Sequence, residues 1–227
     1  MKTFELIFAL CWIPVHMFLL PVVLVKIPGF TALGESWQNL IMYAVSFVAL
    51  TLAEMKFIRR DFDPLCDNFG YVIAQVLWGF AFMLALDLLA GGVLSIIMGG
   101  EDLEVANQNN DAIVEMFGKN RGPMTAIACF LAPISEELMF RGAIFGGIRK
   151  KNRFAAYAVS MLLFAAYHVY SYAIYDPSYW IYILQYLPVS YVLCRVYESS
   201  NSIWGSMLFH GVWNYISVCL LNALEQL

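Results

Sequence analysis

Residues 123–147 read PMTAIACFLAPISEELMFRGAIFGG. The run is long enough to cross a bilayer, because about 20 apolar residues in a helix traverse the hydrocarbon core. Yet Glu136, Glu137 and Arg141 sit close together inside it. Insertion scales charge about 2.5–3.5 kcal/mol for an ionisable group at the centre of such a helix. Groups of this kind face a protein interior or a watery cavity, and they default to functional candidates. Helical phase then separates the three. Glu137 and Arg141 are four apart, on one face, with the acid N-terminal to the base, so they can pair. Glu136 points about 100° away and lies about 18 Å from the end of the run near Ile148. Its own helix offers it no partner.

Six further apolar runs surround this one, at 4–25, 37–55, 70–98, 154–172, 179–196 and 203–224. The expectation is an all-α polytopic transmembrane helical bundle of about seven spans, forming a single membrane domain over 1–227. An eighth span arises if 70–98 breaks at Gly91-Gly92. Of the 227 residues 61% are hydrophobic and 13% charged, against about 25% charged in ordinary soluble domains; a soluble globular protein is excluded. The net charge of −4 is weak and spread out, which gives no basis for a nucleic-acid partner. Four of the five cysteines fall in apolar runs and Cys66 in a loop, with no metal-type spacing. The first run is too long for a signal sequence and lacks a small-x-small cleavage site, so it reads as a retained span, kinked by Pro14 and Pro21. No internal repeat is visible.

Lys2, Lys56, Arg59, Arg60, Arg149, Lys150, Lys151, Arg153 and Arg195 fall on one side of a seven-span arrangement, whereas Lys26, Lys119 and Arg121 fall on the other. Cytoplasmic loops hold the excess of Lys and Arg. A multi-pass protein of the cell membrane with a cytoplasmic N-terminus follows. The longest connection, 99–122, carries Glu101, Asp102, Glu104, Asp111 and Glu115. It reads equally as a solvated loop or as a short amphipathic helix near Ala112 to Phe117 capped by Asn110.

Two of the three histidines lie in mid-span positions, His168 in the fifth run and His210 in the seventh. His210 shares a helix face with Asn214, four residues on, and Gly205 and Gly211 let that helix approach its neighbours closely. A histidine in a membrane helix also serves simply as interhelical glue, and paired carboxylates also serve as a structural network or a proton path. The combination of a double Glu, a paired Arg and two His on three separate runs argues for more. Asp87 reads as locally bonded or watered at a break, Glu54 as an interfacial residue, and His16 as packing. Glu136 and His168 together can deprotonate a water for attack on a peptide carbonyl. His210 and Asn214 can supply donors to the oxyanion that forms. Ser135 has no base at a suitable spacing and reads as a local helix hydrogen bond. A His2Glu zinc site uses the same donor types, but the HExxH helix is absent.

At these residues the chain resembles the CAAX-protease and bacteriocin-processing (CPBP, or Abi) family, whose signature is EExxxR, FxxxH and HxxxN or HxxxD. Here the three are Glu136 to Arg141, Phe164 to His168, and His210 to Asn214, in order on separate apolar runs. The resemblance covers 123–220, the expected catalytic core. It implies a glutamic-type intramembrane endopeptidase in which Glu136 and His168 activate water, His210 and Asn214 stabilise the oxyanion, and Glu137 and Arg141 support them. No cofactor or metal is implied. The substrate would be a membrane protein or peptide precursor, and the oligomeric state is left open. The alternatives are a non-catalytic member of the same fold, acting in bacteriocin immunity or as a scaffold, and a proton-coupled transporter; the latter lacks repeat symmetry and paired broken helices.

Overall fold

The computed structural model describes residues 1–97, 99 and 107–224. The expected acidic residues Glu101, Asp102 and Glu104 lie outside them. Among the described residues the chain is helical, without strands. The long helices are α1 (Thr3–Val25), α2 (Glu35–Ala53), α3 (Phe69–Ile97), α4 (Gln108–Lys119), α5 (Arg121–Ile148), α6 (Arg153–Ala173), α7 (Ile183–Ser200) and α8 (Ile203–Leu224). Five of these, α1, α2, α3, α5 and α6, are long and apolar enough to cross a membrane by length and composition. Helices α7 and α8 stand where the sixth and seventh spans were expected, but polar side chains such as Gln185, Glu198, His210 and Asn214 dilute their apolarity. The chain is a multi-pass helical membrane bundle. Its third span runs through Gly91-Gly92 without a break, so the eight-span alternative falls. Glycine costs a helix only about 1 kcal/mol relative to alanine, which a long apolar helix tolerates.

Helix α5 stands in the middle of the bundle, in contact with α1, α2, α6, α7 and α8. Lipid tails are as apolar as leucine, so helices associate here through close packing and interhelical hydrogen bonds. Both devices are visible where α8 meets α5. A Cβ on Gly211 would overlap the carbonyl oxygen of Cys129, so only glycine allows this approach. Helix α5 also widens twice into π-type turns, at Ile127–Leu131 and Glu137–Phe145. Turns of this kind disturb the regular ladder and gather at functional sites. In each, a neighbouring helix supplies a donor to a carbonyl: Asn214 Nδ2 donates to Ala128 O at 3.3 Å, and Ser160 Oγ donates to Phe140 O at 3.2 Å. Helix α1 contains a third such turn, Val15–Leu19, between Pro14 and Pro21, where the sequence pointed to a kink.

Helix α4 exists, but it starts earlier than expected and its cap is Asn107, not Asn110. The Asn107 side chain accepts from the backbone N–H groups of Asn109 and Asn110, which satisfies two donors that a helix start leaves open. Glu54 also departs from expectation. It is fully buried, with no hydrogen-bond partner for either carboxyl oxygen among the described residues, because the turn from α2 into the short helix Met55–Arg60 folds it inward. His16 behaves as packing: it is buried and its Nδ1 lies 2.7 Å from Ser46 Oγ.

Candidate active site

The second π-type turn of α5 presents Glu137 and Arg141 to the interior, where both are fully buried. Arg141 Nη1 lies 3.0 Å from Glu137 Oε1. That contact is one of charge rather than an aligned hydrogen bond, since neither Nη1 nor Nε has a well-directed acceptor. The guanidinium also donates through Nη2 to Ser190 Oγ at 3.1 Å and lies 4.1 Å above the ring of Phe164. The partner, the hydroxyl acceptor and the aromatic face offset part of the penalty of burying this charge.

Glu137 serves a second partner. Its Oε1 lies 3.0 Å from His210 Nδ1. An ionised carboxylate only accepts, so the proton sits on Nδ1 and His210 turns Nε2 away from Glu137. That nitrogen stands 3.7 Å from Glu136 Oε2. From the other side His168 directs its own Nε2 to the same oxygen, also at 3.7 Å. His168 Nδ1 lies 2.9 Å from the carbonyl of Phe164; a carbonyl can only accept, so Nδ1 is again the donor. The ring is clamped between Phe164, at 4.4 Å, and Tyr186, stacked at 4.7 Å. Two imidazole nitrogens and one carboxylate oxygen, supplied by α6, α8 and α5, therefore converge on a single point.

Glu136, Glu137, Arg141 and His210 are all buried, and His168 is the opening, with 19% of its side chain exposed. Two cavities, one beside Asp87 and one beside Arg60, lie away from these residues. Asn214 is placed differently from the rest. It follows His210 by one helical turn, and its amide is committed through one N–H to Ala128 O, two turns before Glu136 on α5. The bundle thus gathers Glu136, Glu137, Arg141, His168 and His210 into one network, with Asn214 on its flank. Ser135 donates to Leu131 O at 2.7 Å, the local bond expected of it. Among the described residues no three His, Cys, Asp or Glu side chains are arranged to hold a metal ion.

Several contributors escaped the sequence reading. Tyr43 from α2 makes side-chain interactions with Glu136 and with Tyr167. Tyr186 stacks on His168, and its hydroxyl accepts from Asn109 Nδ2 at 3.0 Å, which ties the start of α4 to the site. Ser190 anchors Arg141. Tyrosine and serine raise no alarm in an apolar run, so only their position in space reveals them.

Residues 119–216 match the family model described as Type II CAAX prenyl endopeptidase Rce1-like. That segment resembles the CAAX-protease family. It begins just before α5 and ends within α8, and it encloses all six residues above from Glu136 to Asn214. Three relatives extend the likeness. The UPF0177 protein YxdF of Lactococcus lactis subsp. lactis (strain IL1403) is 32% identical over 95 residues, covering 42% of this chain and 48% of its own. The UPF0177 protein YvdC of the same strain is 26% identical over 186 residues, 82% of this chain and 67% of its own. The Bacillus subtilis (strain 168) protein named "Putative membrane peptidase YdiL" is 25% identical over 166 residues, 70% of this chain and 63% of its own. The aligned part thus spans from about half to two thirds of these relatives' lengths. No solved structure matches the chain. The CAAX-protease likeness covers the half of the bundle that holds the network, while α1 to α3 lie outside the matched segment.

Proposed function

We propose that this protein is a glutamic-type intramembrane endopeptidase that hydrolyses a peptide bond of a membrane protein or peptide precursor. The observation that carries the proposal is the shared focus of His168 Nε2 and His210 Nε2 on Glu136 Oε2, each at 3.7 Å. This spacing is beyond direct hydrogen bonding, and it is the separation at which one water can touch all three groups.

Proton positions make the roles unequal. In their neutral forms both imidazoles point a bare Nε2 at a carboxylate, so the focus favours a molecule that brings protons. Water does so. Glu136, assisted by His168, takes one proton as the water oxygen attacks the carbonyl carbon and a C–O bond forms. His210, in its protonated form and held by Glu137, presents Nε2–H to the developing oxyanion. Asn214 has a second N–H beyond the one bonded to Ala128 O, and we assign it as the companion donor. Collapse of the intermediate breaks the C–N bond, and the proton held at Glu136 passes to the leaving amine. Glu137 keeps His210 oriented, and Arg141 holds Glu137 in place. The core over 123–220 performs this chemistry within a single membrane domain whose N-terminus faces the cytoplasm.

The test is turnover of a quenched, lipid-anchored peptide library by the purified, reconstituted protein. Wild type is expected to cleave a subset, and Glu136→Ala and His168→Ala to cleave none of it. Equal cleavage by the three proteins rejects the mechanism.

A further inference from the structure

The Lys/Arg-rich end of the bundle holds a second site of a different kind. Between the turn that follows α2 and the turn that joins α5 to α6 opens a cavity of about 400 Å³, walled by Arg60, Arg149 and Lys150. The first of these is separated from the other two by most of three helices in sequence. The bias of Lys and Arg toward one side of a membrane protein explains why such residues are present here. It does not require them to converge: Lys56, Arg59, Lys151 and Arg195 belong to the same side and do not line the cavity.

Two of the three cations are held in place before any ligand arrives. The Arg149 guanidinium lies 4.7 Å from the Tyr197 ring and 5.8 Å from that of Phe145, and Arg60 lies 5.4 Å from the ring of Phe57. Stacked guanidinium groups are oriented forks rather than floppy charges. At the floor, a Cβ on Gly146 would come within 3.2 Å of the Arg141 carbonyl and 3.5 Å of the Tyr197 hydroxyl, so glycine keeps the cavity open there. The single carboxylate on the wall, Asp61, is already engaged: its Oδ2 accepts from Ile203 N at 3.0 Å, and its Oδ1 lies 3.7 Å from Arg60. Among the described residues neither Arg149 nor Lys150 is within ion-pair distance of a carboxylate. Among the described residues the wall carries these three cations against one carboxylate, Asp61, and so a surplus of positive charge.

We propose that this cavity binds a phosphate group, with Arg60, Arg149 and Lys150 as its ligands and the phosphate of an anionic membrane lipid as the source its position favours. Guanidinium groups suit phosphate oxygens because they donate in pairs at matching spacing, while lysine adds a point charge. The cavity lies at the ends of spanning helices, where head groups reside, and basic pockets between such helices take anionic head groups.

The experiment is native mass spectrometry of the full chain in an uncharged detergent with dioctanoyl phosphatidylglycerol, dioctanoyl phosphatidylcholine or inorganic phosphate. Wild type is expected to retain phosphatidylglycerol in preference to phosphatidylcholine, and Arg149→Gln/Lys150→Gln to weaken that retention about tenfold. Arg195→Gln, on the same side but outside the cavity, is expected to leave it unchanged. Should the double variant fail to fold, Lys150→Gln alone, at an exposed position, is expected to weaken it about threefold. Displacement of the lipid by millimolar inorganic phosphate from wild type supports the site with a soluble source; resistance to displacement supports the lipid. Retention by the variants equal to wild type, equal loss with Arg195→Gln, or no preference over phosphatidylcholine overturns the proposal.

Discussion

Helices α3 and α5 are 29 and 28 residues long, and each carries a carboxylate deep in an apolar run. In α5 the residue is Glu136, 3% exposed and faced by two imidazoles. In α3 it is Asp87, exposed on the outside of the bundle beside a shallow cavity lined by Leu84, Leu88, Gly91 and Gly92, and without a hydrogen bond or ion pair among the described residues. The surroundings differ as much as the residues. The most apolar window of α5 is 56% buried inside the protein and that of α3 only 11%. An in-span acid is therefore not informative by itself. It becomes a chemical site when other helices surround it and return polar groups to it, because only there is its charge state set by protein rather than by lipid and water.

The largest expected effect would break this comparison outright if it failed. Glu136→Gln keeps the shape of the side chain and removes its basicity, and turnover in the reconstituted peptide assay is expected to fall about 10²–10⁴-fold. Asp87→Asn, the same chemical change in α3, is expected to stay within about twofold of wild type. Comparable losses from the two substitutions would show that the contrast between the helices has no bearing on activity.

Next in size is the buried pair that supports the site. Arg141→Met leaves the Glu137 carboxylate without its cation at a fully buried position. Thermal unfolding in detergent is expected to show a loss of about 3–5 kcal/mol, the usual cost of breaking such a pair from one side. Glu137→Gln/Arg141→Met removes both charges and is expected to recover a large part of that loss. A double variant as unstable as the single one would mean that Arg141 matters for its packing on Phe164 and not for its charge.

Glycines sharpen the contrast on a smaller scale. Gly211→Ala drives a methyl group into the Cys129 carbonyl, where α8 seats against the first π-type turn of α5, and is expected to cost about 1–3 kcal/mol. Gly92→Ala in α3 meets nothing within 4 Å and is expected to stabilise by up to about 1 kcal/mol through helix propensity. Opposite signs in the same unfolding assay would place the packed interface at α5 and the open face at α3.

What the sequence disclosed and what it hid divide along the same line. Apolar run length located the spans, and the i, i+4 spacing of Glu137 with Arg141 anticipated their contact, because both are local properties. The cost of ionisable residues in lipid singled out Glu136, His168 and His210, and the structure brings them together. Tyr43, Tyr186 and Ser190 stayed silent: a hydroxyl in an apolar run carries little penalty, and each meets the network from a distant helix. The π-type turns were hidden too, since a local widening leaves no mark on apolar periodicity. Glu54 misled because a carboxylate next to Lys56 reads as interfacial, whereas the turn after α2 folds it inside. The i, i+4 spacing sets Asn214 one turn beyond His210, but its bond to Ala128 O depends on a carbonyl whose tilt only the folded α5 determines.

The last and smallest effect concerns the basic end, where the interior logic of α5 reappears at the surface. Asp61 joins the turn after α2 to the start of α8 by accepting from Ile203 N, and its own carbonyl accepts from Ser202 Oγ at 2.8 Å. Burial is the main influence on its carboxyl and pushes its pKa above the usual aspartate value, against the opposing pull of the Ile203 N–H and Arg60. A raised folded pKa means that the folded state holds the proton more tightly than the unfolded one. The resulting stability is fully present below the ordinary aspartate pKa of about 3.9 and is lost as pH rises through the raised folded value. Asp61→Asn keeps an oxygen for Ile203 N–H and abolishes the titration. In phosphate-free buffer, wild type is expected to lose roughly 2 °C of melting temperature relative to the variant between about pH 4 and pH 8. A parallel course of the two melting curves would show that the Ile203 N–H and Arg60 fully offset the burial of Asp61, and that this end of the bundle, unlike α5, sets no group's charge by enclosing it.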